Sequence, residues 1–336
     1  MAVSIDDVAA RANVSTATVS RALRGLPRVS PATRAKVLAI ADELGYVPSP
    51  SASRLATGRT RTVGVLAPFA DRWFFGHSIE GIDSALRENG FNLLLFSLGG
   101  YERGRRHAYA ERMVRRQIDA LVVISLPLTG EELDQLQRTD IPMVAVGGPV
   151  PGCAAVRMDD VAGTTAAVEH LIGLGHTRIG HLHGAIRDDL NFVVPGLRYD
   201  AFEATMARAG LPVRPEWTVG GDFTVDDGVR AAVTLLDGPG ERPTAVFCAS
   251  DEMALGLMFA AHRRGLRIPE DLSVIGIDDH DFAAPAGLTT IAQDPRRQGY
   301  LATRMLLREL AGTAGAVQDL VVPFELKVRS STAPPN

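Results

Sequence analysis

From residue 62 onward the chain alternates between two kinds of segment. The apolar runs Val63–Ala67, Phe91–Phe96, Ala120–Ile124, Met143–Val146, Ile179–Leu182, Ala245–Phe247 and Val274–Ile277 are short and show no polar face. That is the pattern of strands buried on both sides of a parallel sheet. Between them lie amphipathic stretches at 75–89, 103–117, 160–174, 198–210, 226–237, 250–264 and 295–311. So many strand–helix units exceed one comfortable sheet, which predicts two doubly wound lobes. The first lobe takes about 62–160 and 293–318, and the second about 161–290 and 319–330, with a strand near 317–328 returning to close the pair. Ligands in such folds bind at the carboxyl ends of strands, here in the cleft between lobes. The tail, Ser330 to Asn336, reads as frayed.

The head, residues 1–48, follows a different rule. Ile5 to Ala12 reads as a short helix after a potential cap at Ser4, with Ile5, Val8 and Ala9 available for packing. A tight Asn13-Val14 turn leads into a second helix that Ser15 can cap and Gly25 can end. At 100° per residue, Val19, Ala22 and Leu23 share one face, while Ala17, Ser20, Arg21 and Arg24 share the other, with Thr16 at the tip. This is a helix-turn-helix whose second helix is suited to the major groove. A third helix, roughly 31–44, starts at Ser30-Pro31 and stops at Gly45. Residues 49–61 read as a linker, within which Ser51 to Thr57 can form two turns of helix with Ala52 and Leu55 on one side. A leucine beside basic residues suits a minor-groove wedge.

Charge separates the two parts. The net charge is −4, yet residues 1–62 carry nine Arg/Lys and four acids, a balance of +5 that leaves −9 on the remainder. A basic head on an acidic body fits a polyanion-binding module joined to something that should not adhere to DNA. No window approaches 18 uninterrupted apolar residues, and the acidic N-terminus lacks the apolar run of a signal peptide, which predicts a cytoplasmic protein without a membrane partner. Two cysteines, Cys153 and Cys248, provide no disulfide framework and read as buried fillers.

The ordered motifs Ile5-Asp6-Asp7-Val8-Ala9, Val14 through Arg21, Val29 through Arg34, Leu44-Gly45-Tyr46-Val47-Pro48 and Leu55 through Thr60 resemble the LacI/GalR family of transcriptional repressors. In the body the resemblance continues through His170-Leu171-Ile172-Gly173-Leu174-Gly175-His176, Arg198, Ser250 through Gly256 and Val274 through Asp279. It implies an all-α helix-turn-helix domain with a hinge helix, followed by an α/β periplasmic-binding-protein-like core. It also implies a homodimer that binds a near-palindromic double-stranded operator and answers to a small molecule in the cleft.

Residue by residue, Thr16, Ala17 and Arg21 match the family's base-reading positions. Arg21 can bond guanine bidentately, and the methyl groups of Thr16 and Ala17 can meet thymine methyls. Ser15, Ser20 and Thr33 suit phosphate contacts, although Thr33 serves equally well as a first-turn helix residue. Residues 49–57 match the hinge helix, with Ala52 and Leu55 in place, but Ser49, Pro50 and Arg54 depart from the usual pattern. In the cleft, Arg198, Phe223, Ser250, Asp278 and Gln293 match effector-contact positions, and Trp73-Phe74 falls on the cleft-mouth loop as a carbohydrate platform. Arg198 and Asp278 could instead form an interlobe salt bridge. Where many relatives carry Asp-Arg, this chain has Val146-Gly147-Gly148-Pro149. The aromatic loop points to a sugar or glycoside, and hence to carbohydrate-utilisation genes.

Catalysis finds no support. No nucleophile elbow, phosphate-binding loop or dinucleotide fingerprint is present, and neither of the two lysines, Lys36 and Lys327, follows a glycine loop. His181-Leu182-His183 is read as splaying its imidazoles to opposite strand faces, and Asp278-Asp279-His280-Asp281 as a solvated loop, so neither is taken as a metal site. No cofactor is expected. The competing reading is a cytoplasmic sugar-binding or sugar-processing protein without a DNA function. The chain lacks C-terminal leucine heptads, so dimerisation is expected through the lobes.

Overall fold

The computed structural model describes residues 3–46, 59–98, 117–126, 128–185, 193–238, 240–313 and 319–336. The expected hinge helix, with Ala52 and Leu55, lies outside them, as does nearly all of the stretch 103–117. Two compact units result, Met1–Thr60 and Arg61–Asn336.

In the first unit three helices, α1 (Ile5–Ala12), α2 (Thr16–Leu23) and α3 (Pro31–Glu43), surround Val8, Ala9, Ala12, Val19, Ala22, Val37 and Ala41. Caps decide where each helix starts. Ser4 accepts from the Asp7 amide while the Asp7 carboxylate accepts from the Ser4 amide, a capping box. Ser15 and Ser30 accept from the amides of Thr18 and Thr33. Asn13 (φ 55°) and Gly25 (φ 67°) end α1 and α2 in the left-handed region.

The second unit holds two six-stranded sheets. The first has the order β11-β5-β4-β3-β1-β2, built from β1 (Thr62–Ala67), β2 (Asn92–Ser97), β3 (Ala120–Ile124), β4 (Met143–Val146), β5 (Ala154–Met158) and β11 (Leu320–Val322), all parallel. The second has the order β12-β10-β9-β8-β6-β7. It comprises β6 (Ile179–Gly184), β7 (Thr218–Gly221), β8 (Ala245–Cys248), β9 (Ser273–Asp278), β10 (Thr289–Ala292) and β12 (Glu325–Lys327), with only β10–β12 antiparallel. Alternate strand residues enter separate cores. Val63, Val65, Ala120, Val122 and Ile124 pack with helices α4 (Trp73–Glu88) and α10 (Pro295–Leu310), whereas Leu66, Leu121 and Val123 pack on the opposite face beside α5 (Gly130–Gln137). Burial on both faces is why these strands appear as unbroken apolar runs.

Around the second sheet lie α6 (Asp160–Gly173), α7 (Val194–Arg208), α8 (Val225–Asp237) and α9 (Asp251–Arg263). Each lobe contains one very close helix crossing. A Cβ at Gly81 or Gly299 would overlap backbone of the opposing α10 or α4, and a Cβ at Gly228 or Gly256 would overlap backbone across α8 and α9.

Two expectations are corrected. The return strand near 317–328 is two strands, and β11 completes the first sheet although the second lobe was expected to take over from 319. Nor is the tail frayed: β10 begins opposite Ile275, so the Val274 amide donates instead to the Ser331 carbonyl (2.8 Å). Ser331 also accepts from the Thr289 amide and donates to the Val274 carbonyl. Buried His176 anchors the Ala333 carbonyl (2.9 Å), so the tail behaves as a docked edge segment.

Candidate functional site

A cavity of about 600 Å³, counting the space open to solvent, lies at the carboxyl ends of the strands within the second unit. It brings together Phe74, Arg198, Phe223, Ser250, Asp278 and Gln293, joined by Arg72, Phe75, Ser125, Gly147, Val194 and Glu252.

Arg198 on α7 is almost wholly buried. Its partner is Asp160, at the start of α6, rather than Asp278: Nε and Nη2 both donate to Asp160 Oδ1, at 2.9 and 2.8 Å. Nη1 donates to the Ala249 carbonyl. A guanidinium has five N–H donors, so part of its donor set remains for the cavity that Arg198 lines. Burial raises the Asp160 pKa and Arg198 works against it.

Ser250 caps α9 by accepting from the Met253 amide (3.3 Å). Asp278 ends β9 and accepts from Gln293 Nε2 (2.6 Å). Beneath it Asp251 accepts from the Thr290 hydroxyl (2.7 Å) and the His280 amide (2.9 Å). Burial pushes both carboxyls up, Asp278 adding to the effect on Asp251, while Arg198 and Gln293 oppose it at Asp278. The tetrad expected to be a solvated loop is therefore largely committed to structure. Asp278 is buried, and Lys327 and Arg329 hold Asp279 below the usual carboxylate range against the cost of burial.

A carboxyl whose folded pKa is raised keeps a proton that the unfolded chain has released. It favours the fold at low pH, and that contribution is lost as pH rises through the folded value. Asp278→Asn should therefore gain stability over wild type as the buffer moves from pH 5 to pH 8, by roughly 1–2 kcal/mol. Parallel thermal melts at the two pH values check this; a constant difference between the proteins contradicts it.

The cavity wall is also strained. Phe223 (φ 62°), Ser125 (φ 37°) and Asp278 (φ 138°) are non-glycine residues at positive φ. Such outliers persist only where the surroundings over-determine them, and they cluster at functional sites. Glycines make room for the two rings. Cβ atoms at Gly147 (φ 82°) and Gly184 would run into the rings of Phe74 and Phe223. The departure from Asp-Arg near 146–149 is thus accommodated by the Phe74 ring and the Ser125 hydroxyl, which occupy the space a side chain at 147 would need.

Trp73 does not line the cavity. It sits at the mouth, its ring 4.6 Å from that of His77 and 5.5 Å from that of His280 across the cleft. Beside it Arg72 donates to the Asp222 carbonyl (2.8 Å), and Glu252 accepts from the Trp73 amide at the start of α4. First-lobe residues 72–77 thus grip two second-lobe loops and the first turn of α9. Asp160, Arg72 and Glu252 were not singled out from sequence. Asp160 had a signal in the acidic pair Asp159-Asp160 at a predicted helix start, whereas Arg72 and Glu252 had none.

His181 and His183 share one strand face, as residues two apart must, with rings 5.6 Å apart. The opposite-face reading is corrected. His181 is wholly buried against Phe202 and Phe247 at 4.3 and 5.0 Å, and burial lowers its pKa well below the usual value.

In the first unit, Ser15, Thr16, Ala17 and Arg21 are exposed on α2 opposite its buried Val19 and Ala22, and Ser20 is half-buried. The Thr33 hydroxyl pairs with that of Ser30 (2.8 Å), which supports its alternative role as a first-turn helix residue.

Comparisons with known proteins agree with both units. Residues 4–49 match the model of bacterial regulatory proteins of the lacI family, and 168–332 match a periplasmic binding protein-like domain. The HTH-type transcriptional repressor CytR of Escherichia coli (strain K12) is 35% identical over 336 residues, covering 98% of this chain and 96% of CytR. A lac repressor dimer bound to operator and the anti-inducer ONPF aligns with TM-score 0.88 at 28% identity, over 99% of this chain and 100% of that one. A complex of the transcriptional regulator CelR with cellobiose aligns with TM-score 0.72 at 30% identity, over 98% and 99% of the two chains. Helix-turn-helix head, two-sheet core and full-length similarity together place this chain in the lacI family of bacterial regulatory proteins, as a DNA-binding transcriptional regulator.

Proposed function

We propose that the chain is a repressor of carbohydrate-utilisation genes whose affinity for a near-palindromic operator is set by a sugar or glycoside bound between its lobes. The observation that carries this reading is the cavity itself. An arginine fixed from behind by Asp160, an acid held by Gln293, and two phenylalanine rings from opposite lobes converge at strand ends. Directed hydrogen bonds with flanking apolar faces suit a polyhydroxylated ring. The relatives add support, since CelR is described in complex with cellobiose. Trp73 is assigned to closing the mouth rather than to the ligand. The protein acts in the cytoplasm as a homodimer formed through its lobes, without catalysis of its own, and residues 49–57 serve as its hinge.

On DNA, Thr16, Ala17 and Arg21 read bases while Ser15 and Ser20 contact phosphates. Arg21→Ala should lose about 1–3 kcal/mol of operator affinity and relax one base position in each half-site. Selection of binding sites from a random library checks this, and an unchanged sequence profile removes Arg21 from the reading set. For the cleft, calorimetry against a panel of mono- and disaccharides is decisive. Binding that Asp278→Ala abolishes supports the assignment, and wild-type affinity in that variant overturns it.

A further inference from the structure

Gln298 lies in the first turns of α10 with no exposed surface. Its Nε2 donates to Gln293 Oε1 (3.1 Å), and Gln293 Nε2 donates to Asp278 Oδ1 (2.6 Å). Each amide has one donor end and one acceptor end, so the polarity of this chain is set at its Asp278 end. A carboxylate at Asp278 can only accept, which turns the Gln293 amino group towards it. The Gln293 carbonyl then faces Gln298 and needs a donor. Gln298 supplies one, at the cost of leaving its own Oε1 buried with no hydrogen-bond partner among the described residues. Turning Gln298 over would set two carbonyl oxygens against each other.

We propose that Gln298 is a positioning residue of the cleft: by donating to Gln293 it holds that side chain as a donor to Asp278, and so presents Asp278 to a bound ligand as an acceptor. The inference rests on the reading of the cleft as the effector site. Arg198 of α7 faces Asp278, as do Asp251 and Glu252 of α9, with Asp279 next in the chain and engaged by Lys327 and Arg329. Burial and Glu252 favour a protonated Asp278, and Arg198 and Gln293 oppose them. A protonated Asp278 donates, so Gln293 turns its carbonyl outward and the chain reverses. With Gln298 in place its amide must turn over as well for the reversal to complete, whereas without that donor Gln293 turns alone.

The test follows the Asp278 carboxyl by NMR in the full-length protein carrying ¹³C-labelled aspartate, its signal assigned with Asp278→Asn. Gln298→Met keeps the volume and removes the donor, while Gln298→Glu puts an acceptor where the donor stood. The midpoint should rise by about one pH unit in Gln298→Met, a tenfold change in the protonation equilibrium, and further in Gln298→Glu. Calorimetry with cellobiose as probe should show Gln298→Met weakened at pH 6.5 and recovering towards wild type at pH 9, which a packing defect would not do. An unchanged midpoint in a folded variant of either kind overturns the proposal, as does an equal loss of cellobiose affinity at both pH values. If wild type binds no sugar, the effector reading fails while the titration still decides the role of Gln298.

Discussion

Arg198→Ala should lower the unfolding free energy of the core by about 3–5 kcal/mol, because it strands Asp160 as an unpaired buried acid. Asp160 sits at the foot of α6 with almost no exposure and has Arg198 as its ion-pair partner. For a unit of this size that loss moves the melting temperature by roughly 10 °C. Sugar binding should vanish with it, since the guanidinium both lines the cavity and ties α7 to α6. Adding Asp160→Ala to Arg198→Ala should recover part of the stability without restoring ligand binding, as removal of both charges relieves the stranded one. A denaturant titration separates these results. A single-variant loss below about 1 kcal/mol would place the pair in solvent and outside the buried frame of the cleft.

Gly299→Val should cost about 3 kcal/mol, the upper end of overpacking, because the added atoms meet a backbone carbonyl of α4 rather than a flexible side chain. Its counterpart Gly256→Val should do the same to the second lobe, where the Val225 carbonyl blocks the space. Each variant separates a helix pair that carries cleft residues, Phe74 and Gln298 in one lobe and Glu252 in the other. Loss of cleft function with little loss of stability would contradict this, and chemical unfolding of the two variants is the check.

How much of this could be read from the sequence depended on the distance over which each residue acts. The strands from Val63, Ala120 and Val274 were visible because burial on both faces leaves an unbroken apolar run. β7 (Thr-Val-Gly-Gly) and β10 (Thr-Thr-Ile-Ala) were not, being four residues long and rich in threonine or glycine. Their place in the sheet comes from neighbours far along the chain. Half of the cavity lining, namely Phe74, Arg198, Phe223, Ser250, Asp278 and Gln293, was named from the sequence, but Arg198 finds its partner 38 residues away, and no local pattern encodes that pairing. Trp73 was read as a platform because aromatic rings near a cleft suit sugars. Its ring packs instead against those of His77 and His280. The tail was read as frayed because chain ends usually are, yet the Ser331 hydroxyl satisfies backbone groups at the margin of β9 and β10.

The central claim is that occupancy of the cleft sets operator affinity. It is tested most directly by titrating a selected operator with the full-length protein, with and without a saturating sugar that calorimetry has shown to bind. Coupling of about 1–3 kcal/mol predicts a 5- to 150-fold change in operator Kd. Asp278→Ala should keep the sugar-free affinity and lose the change. An operator affinity indifferent to every sugar that binds, or a full response surviving in Asp278→Ala, would contradict the account.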